Sequence, residues 1–183
     1  MSPTIFTVRE LKSTDAEALL TFESLNRAWF ESHIDARDPA FYSLSGVGEH
    51  IACYLSGFNA GTWHPHVIED SNGSIVGRAN LKCIDSRTGS AEVGYRIAEH
   101  VCGQGVATLA LRHLVEEAKT RWGLTQLVAY VFKENTGSMR VLDRCGFLPD
   151  HGSRAATGER RFVLPIRPAI AGRQMPTRDA SLC

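Results

Sequence analysis

The 183-residue chain has no excess of charge of either sign, because 20 Lys and Arg residues balance 20 Asp and Glu residues. A domain that binds nucleic acid usually carries a basic excess or a basic stripe, and this chain has neither. A role at a membrane surface lacks the same cationic support. We therefore expect no nucleic-acid partner and no membrane partner.

Paired cysteines are also missing. The 5 cysteines are scattered along the chain and none forms a C-x-x-C pair, so neither a zinc site nor a thioredoxin-type motif is indicated. We expect no metal, and reduced thiols in a cytoplasmic protein. The N-terminal residues contain no apolar core of the signal-peptide type, and no apolar run approaches the length that spans a bilayer.

The composition that remains is that of an ordinary globular domain, with 43% apolar and 22% charged residues. Hydrophobic periodicity ends after Pro165, and the residues that follow include several prolines and arginines in no regular order. We therefore expect one domain over residues 1–166 and a mobile tail over residues 167–183. The oligomeric state, monomer or homodimer, is left open by the sequence.

Hydrophobic periodicity predicts the order β, α, α, β, β, β, α, β, α, β. The predicted strands are 5–11, 64–70, 75–84, 91–97, 124–132 and 160–166, with an extra strand considered around 147–153. The predicted helices are 15–30, 45–61, one that follows Gly105 and ends at Gly123, and 135–147. The aromatic-rich segment 26–43 is either a loop packed on the core or a wall that faces the substrate. The fold class is thus a mixed α/β (α+β) sheet, antiparallel in its first half, with helices around it.

One turn organises this pattern. Gly103 and Gly105 stand one residue apart and run directly into an amphipathic helix. Glycine allows a backbone to bend sharply and a ligand to approach its N–H groups. A helix N-terminus adds unpaired donors and the positive end of the helix dipole. Together these features predict an anion site, most often one for phosphate.

Two common phosphate-binding motifs do not fit this turn. A P-loop needs GxxxxGK followed by Ser or Thr, and the chain contains no such string. The dinucleotide fingerprint needs a third glycine where this chain has Thr108.

A third pattern fits more of the chain. The strings GYRIAEHVCGQGVATLAL and VAYVFKENTGSMRVLDRCGF resemble the GNAT superfamily of acetyl-CoA-dependent N-acetyltransferases, most closely the branch of ribosomal-protein N-terminal (alanine/serine) acetyltransferases. The second string matches the family pattern N-x-x-S-x-x-V-L-x-x-x-G-F throughout. Two departures lie in the first string, where Cys102 replaces an Arg or Gln and Leu109 replaces an acidic residue.

The resemblance implies acetyl-CoA as co-substrate. Its pyrophosphate would lie on the backbone of the turn, and its pantetheine arm would lie between the strands 91–97 and 124–132, which splay apart near Gly94. Asn135 and Ser138 would lie beside the thioester. The cofactor-binding residues implied in this way are Ile97, Cys102, Gly103, Gln104, Gly105, Val106, Ala107, Thr108, Asn135 and Ser138.

The chemistry of amine acetylation then indicates two catalytic candidates. The attacking amine must lose a proton, and Glu92 on the splayed strand is the candidate base, acting through water. The leaving thiolate gains a proton, and Ser138 is the candidate acid because the second string contains no tyrosine. A backbone N–H near Ile97 would stabilise the oxyanion. Glu92 as a solvated strand residue and Ser138 as a simple cofactor contact stay open.

Three further side chains could carry chemistry. His64 and His66 flank Pro65 at a strand entry, where we expect them at the surface and away from any metal-ligand spacing. Cys102 lies at a helix N-terminus, which lowers a thiol pKa, but direct acetyl transfer needs no enzyme nucleophile.

The sequence therefore predicts an N-acetyltransferase that moves an acetyl group directly to a primary amine. The preferred acceptor, from branch resemblance alone, is a protein N-terminal α-amine. A small-molecule amine acetyltransferase is one alternative, and a non-catalytic acyl-CoA-binding module is another.

Overall fold

The computed structural model describes residues 5–152, 156 and 158–166. Seven strands form one sheet in the spatial order β1-β2-β3-β4-β5-β7-β6. The strands are β1 (Thr7–Glu10), β2 (Trp63–Glu69), β3 (Ile75–Asp85), β4 (Ser90–Ile97), β5 (Gln126–Phe132), β6 (Leu148–Asp150) and β7 (Glu159–Pro165). All neighbours pair antiparallel except β4 and β5, which are parallel. The mixed, mostly antiparallel sheet is thereby confirmed, and so is the extra strand, which is β6.

The described residues also form five helices: α1 (Ala16–Leu25), α2 (Arg27–Glu31), α3 (Leu44–Asn59), α4 (Val106–Thr120) and α5 (Thr136–Arg144). Short 3-10 turns precede α1, α3 and α4 at Ser13–Asp15, Pro39–Phe41 and Glu99–Val101. The tail predicted over 167–183 lies outside the described residues and stays a prediction.

The helix predicted over 15–30 is in fact two helices that meet at Asn26. The Asn26 side chain donates to the carbonyl of Phe22 at 2.9 Å and accepts the backbone N–H of Glu99 at 3.1 Å. An asparagine that bonds the backbone in this way competes with helix continuation. The break ties the end of α1 to the loop after β4 and starts α2, so the segment 26–43 is less irregular than predicted.

Helices cover both faces of the sheet, which the β2–β3 pairing makes clear. Arg78 on β3 contacts Glu23 of α1 and His50 of α3. Its neighbour Ala79 is in register with His66, and successive side chains of a strand point to opposite faces. His66 and Ala79 therefore face the other layer, where α4 lies. The largest fully buried apolar side chains of the core are Leu19, Ile51, Ile68, Leu81, Leu111, Leu114, Leu124, Leu127, Leu142 and Phe147.

The strands β4 and β5 separate as predicted. They pair only where Ser90–Glu92 meets Gln126–Val128, although both strands continue well beyond. Gly94 forms no bulge, because β4 pairs with β3 without a shift in register there. A Cβ atom at Gly94 would lie 3.3 Å from Cε of Lys82, so the glycine makes room for that side chain.

None of the helices in the described part of the chain combines the length and the apolar character needed to cross a lipid bilayer.

Candidate active site

The turn before α4 presents an open set of backbone donors. Gly103 and Gly105 have φ of +80° and +83°, and a Cβ atom at either would meet no described atom within 4 Å. Gly105 is the N-cap residue and offers no side chain to the helix. The first helical N–H to find a partner within α4 is that of Leu109, which donates to Gly105 at 2.9 Å. The N–H groups of residues 106–108 therefore point out of the helix end, where the dipole favours an anion.

A cleft of about 490 Å³ opens above this turn, and we call it the turn cleft. Nine of the ten residues predicted to bind the cofactor line it: Ile97, Cys102, Gly103, Gly105, Val106, Ala107, Thr108, Asn135 and Ser138. Gln104 is the exception, because its side chain turns back and donates to the carbonyl of His100 at 3.1 Å. A local sequence pattern therefore identified the floor of the cleft but not the direction of this side chain.

Cys102 differs from the expectation of a lowered thiol pKa. It lies at the end of the 3-10 turn, four residues before the first residue of α4, and its Sγ donates to the carbonyl of Ala98 at 3.4 Å. Desolvation, and then the carboxylate of Glu99, raise the pKa of the thiol. Cys102 is thus a protonated wall residue at neutral pH.

One wall of the turn cleft comes from the segment 26–43, for which the sequence left two interpretations open. Trp29, Phe30, His33 and Ile34, from α2 and the chain after it, line the cleft. The Trp29 indole N–H donates to the carbonyl of Ile97 at 3.2 Å, which fixes this wall to the end of β4. The aromatic content of segment 26–43 was the signal, and it favours the interpretation as a ligand-facing wall. Arg140 and Arg144 of α5 complete the rim and were not predicted.

The start of α5 is held by two hydrogen bonds to Ser138. The side-chain oxygen of Asn135 accepts the backbone N–H of Ser138 at 3.0 Å and caps the helix, which the sequence predicted to start at residue 135. The hydroxyl of Tyr95 on β4 donates to the Ser138 carbonyl at 3.4 Å. Burial raises the pKa of Tyr95 to about 12, so the phenol remains a donor. These contacts fix the Ser138 backbone, and the Ser138 side chain also forms a hydrogen bond with the Tyr95 phenol.

A second cleft of about 380 Å³ lies on the other side of Tyr95, and we call it the arginine cleft. Arg37, Arg78 and Arg96 line it. Glu92 also lines it, and its carboxylate forms an ion pair with Lys82 across the β3–β4 pairing. The candidate base is therefore a paired carboxylate rather than a solvated surface residue.

The three arginines share one buried carboxylate. Glu23 is 0% exposed, and its oxygens lie 2.6 Å from Arg78, 3.2 Å from Arg96 and 3.7 Å from Arg37. His50 must accept from Arg78 at 2.7 Å, which requires a neutral ring. Burial, and then the charge of Arg78, lower the pKa of His50 to about 3. Three cations thus surround one anion at Glu23, while Asp35, Glu92 and Glu159 add carboxylates and Lys82 adds a cation to the lining of the cleft.

The two clefts share a boundary. Ile34, Tyr95, Arg96, Asn135 and Ser138 line both of them. This boundary lies where β4 and β5 have separated, so a group held in one cleft can face a group held in the other.

Backbone donors of β4 also face this opening. The N–H of Ala98 donates to Val76 on β3 at 2.9 Å. Because N–H groups of an antiparallel strand alternate in direction, those of Ile97 and Tyr95 point away from β3. That side of β4 has no β5 pairing beyond Glu92 within the described residues. The Ile97 position thus offers the unpaired N–H that the sequence led us to expect.

The surface position predicted for His64 and His66 is wrong. Their side chains are 0% and 2% exposed, and they lie under α4, outside both clefts. Pro65 and the neighbouring polar residues suggested a strand entry, but a single strand does not reveal which helix will cover its polar face.

Comparisons with known proteins agree with this geometry. Residues 6–148 match the family model described as "Acetyltransferase (GNAT) domain". The chain is 32% identical over 142 residues to "Probable N-acetyltransferase YjcK" of Bacillus subtilis (strain 168), covering 76% of this chain and 78% of that protein. It is 31% identical over 154 residues to "Putative ribosomal N-acetyltransferase YdaF" of the same organism, covering 81% and 80%.

Solved structures share the fold. A ribosomal-protein-S5-alanine acetyltransferase from Vibrio fischeri superposes with a TM-score of 0.81 at 20% identity, covering 87% of this chain and 92% of the other. RimJ of Mycobacterium smegmatis, solved in complex with CoA-disulfide, gives a TM-score of 0.77 at 22% identity, covering 87% and 81%. The match over residues 6–148 and the identity with named N-acetyltransferases show that the chain belongs to the GNAT acetyltransferase family and is an acetyl-CoA-dependent acyltransferase.

Proposed function

We propose that the protein transfers an acetyl group from acetyl-CoA directly to a primary amine, and that the acceptor is the α-amine of a protein N-terminus. The observation that carries the proposal is the boundary shared by the turn cleft and the arginine cleft at Tyr95, Asn135 and Ser138. A thioester in the first cleft and an amine in the second would meet there. No enzyme-bound acetyl intermediate is then needed.

The cofactor is proposed to occupy the turn cleft. Its pyrophosphate accepts from backbone N–H groups of the segment 103–108, in which those of residues 106–108 lack partners within α4 and lie at the positive end of the helix. Its pantetheine arm lies along the edge of β4 that β5 leaves open. Arg140 and Arg144 on the rim add positive charge close to the phosphates.

The reaction forms a C–N bond and breaks the C–S bond of the thioester. The amine attacks in its neutral form, and its proton passes through water to the carboxylate of Glu92. The oxyanion accepts from a backbone N–H at the end of β4. The departing thiolate takes a proton through the hydroxyl of Ser138, which is reprotonated by water in the same step, and the proton on Glu92 returns to solvent.

Two observations support a protein N-terminus as the acceptor. One relative with 31% identity bears the name of a ribosomal N-acetyltransferase. The fold neighbour with a TM-score of 0.81 is titled a ribosomal-protein-S5-alanine acetyltransferase. A small-molecule amine is the alternative acceptor, and the arginine cleft would favour one that carries a carboxylate or a phosphate.

A panel of acceptors tests this proposal through release of the CoA thiol and mass spectrometry of the product. The panel contains peptides with free N-terminal Ala or Ser, the same peptides with blocked N-termini and an internal Lys, and small primary amines. Acetylation of the free α-amines alone supports the proposal. Acetylation restricted to small amines would establish the alternative acceptor. Acetyl-CoA binding without thiol release from any acceptor would leave only an acyl-CoA-binding module.

The role of Glu92 has its own test. Glu92→Gln should lower kcat, while acetyl-CoA affinity is retained. Glu49→Gln, in an exposed part of α3, is the matched control. A wild-type kcat in Glu92→Gln would assign the proton to a water chain without this residue.

A further inference from the structure

A second cluster of polar side chains lies away from both clefts, between β2 and α4. His64 and His66 are two residues apart on β2, so both point to the same face of the sheet. His113 and Glu117 are four residues apart on α4, so they too share a face. One ligand atom from each of His64, His66 and Glu117 lies within 4.8 Å of the others. The ring of His113 lies 4.9 Å from that of His66.

Two atoms in this cluster lack a hydrogen-bond partner. Within the described part of the chain, neither Nδ1 of His66 nor Oε2 of Glu117 has one, although both atoms are buried. Leaving a buried polar atom unsatisfied costs about 1–3 kcal/mol. Two such atoms side by side, one nitrogen and one carboxylate oxygen, indicate that something else binds them.

Both histidines are buried and each presents a ring nitrogen to the cluster. His66 is 2% exposed, and its Nδ1 has no hydrogen-bond partner among the described residues. His64 accepts the indole N–H of Trp122 on Nδ1 at 3.1 Å. Nδ1 of His64 is therefore unprotonated, and it lies 3.5 Å from Oε2 of Glu117.

The opposite nitrogen of His64 already has its partner. Since Nδ1 is unprotonated, Nε2 carries the proton and donates to Glu10 at 3.1 Å. Histidines that bind a metal usually donate their other N–H to a carboxylate, which fixes the ring. Glu10 also pairs with Arg121 at 2.5 Å. Glu117 lies 4.0 Å from Arg121. If Glu117 binds another cation, Arg121 therefore keeps Glu10 as its counter-charge.

We propose that His64, His66 and Glu117 bind a divalent metal of zinc type, with a fourth position for water or for His113. Two imidazoles and one carboxylate suit Zn²⁺, whereas Mg²⁺ and Ca²⁺ prefer oxygen ligands alone. The metal replaces the indole N–H at Nδ1 of His64 and satisfies the two partnerless atoms. This proposal runs against the sequence-based expectation of no metal.

The role of such a metal is to join the sheet to α4. Glu117 lies 11 residues beyond Val106, which is about 17 Å along the helix axis. The ion is therefore remote from the turn cleft and is not a partner in acetyl transfer. It would cross-link β2, near the first edge of the sheet, to the helix whose N-terminus forms the anion site.

Zinc titration of the chelator-treated, untagged protein tests the proposal. We expect one equivalent of Zn²⁺ by calorimetry and by metal analysis after desalting. Co²⁺ should give the visible absorption of a four-coordinate site. At a hundredfold excess of free Zn²⁺ over Kd, Tm should rise by about 5–10 °C, while Mg²⁺ should leave Tm unchanged.

Two variants and one control locate the site. His66→Gln and Glu117→Gln should each lose at least about tenfold in zinc affinity, the lower end for removal of a group that supports a metal. His151→Gln removes an exposed imidazole beyond β6 and should bind like the wild type. If His66→Gln fails to fold by circular dichroism, Glu117→Gln decides. The proposal is overturned if the wild type takes up no stoichiometric zinc, or if the folded variants bind it as well as the wild type does.

Discussion

The hydroxyl of Tyr95 donates to the backbone carbonyl of Ser138 at 3.4 Å, and so joins β4 to the start of α5 where the two clefts meet. The Tyr95 phenol also forms a hydrogen bond with the Ser138 side chain, and Asn135 binds the Ser138 N–H. A change of Ser138 to alanine therefore removes the hydroxyl and its contact with Tyr95 but keeps both backbone hydrogen bonds.

Ser138→Ala should lower kcat by about 10- to 100-fold with little change in the KM for acetyl-CoA. General acids contribute about 10²–10⁴-fold, and the lower end applies because a thiol of pKa about 8.5 leaves readily. Alanine keeps the N–H and carbonyl that Asn135 and Tyr95 bind, so folding should be preserved. Steady-state kinetics provide the measurement, with exposed Ser86→Ala as control. A wild-type kcat in Ser138→Ala would remove the hydroxyl from the mechanism.

Gly105→Val should weaken acetyl-CoA binding at least about tenfold, which corresponds to 1.4 kcal/mol. The side chain would enter the space above the turn, and φ of +83° adds backbone strain of about 1–2 kcal/mol. Gly73→Val is matched, because Gly73 has φ of +78° in the β2–β3 hairpin and equally open space among the described atoms. Calorimetric titration should show weakened binding for the first variant alone. Equal affinity in both variants would place the cofactor elsewhere.

Glu23→Gln should destabilise the fold by about 3–5 kcal/mol, because it leaves buried cations without their counter-charge. Arg78 is 2% exposed and loses its 2.6 Å partner. Glu31→Gln breaks the exposed pair with Arg27 and should change stability by less than about 1 kcal/mol. Urea denaturation of both variants compares the two effects. Similar losses of stability in the two variants would mean that the ion pairs of Glu23 are as weak as a solvent-exposed pair.

The stability of the protein should fall as pH decreases from 6.5 to 5, and His50 should contribute to the slope. The unfolded ring has a pKa of about 6.5, whereas burial and Arg78 lower the folded pKa to about 3. The unfolded state therefore takes up a proton first, and each such histidine costs up to about 1.4 kcal/mol per pH unit in this window. His50→Gln should flatten the slope in chelator-containing buffer, whereas exposed His100→Gln should not. An unchanged slope in His50→Gln would mean that its ring is protonated in the fold.

The features that the sequence predicted well depend on residues that are close together in the chain. Gly103, Gly105 and the cap at Asn135 depend on backbone angles and on bonds within three residues, so the turn and the start of α5 were found directly. The separation of β4 from β5 followed from family resemblance. The break at Asn26 was missed because its second partner is Glu99, 73 residues away.

The features that sequence missed depend on which element covers which face. His64 and His66 were predicted to lie at the surface, because the residue pattern of β2 alone does not show that α4 covers one of its faces. The arginine cleft draws on Arg37, Arg78 and Arg96 from three separate segments, and their common partner Glu23 lies on a fourth. The charge balance of the whole chain gives no information about such a local cluster of charges.

The separation of β4 and β5 gives this sheet exposed strand edges in its middle as well as at its rim. Free edges usually recruit further strands and promote aggregation. Here the two inner edges are recessed beneath the N-terminal ends of α4 and α5, where another polypeptide strand has little access but the amide groups of a slender ligand can reach them. Amide hydrogen exchange should therefore be faster in the distal half of β4 than in β3 beside it, and the difference should disappear when acetyl-CoA is bound.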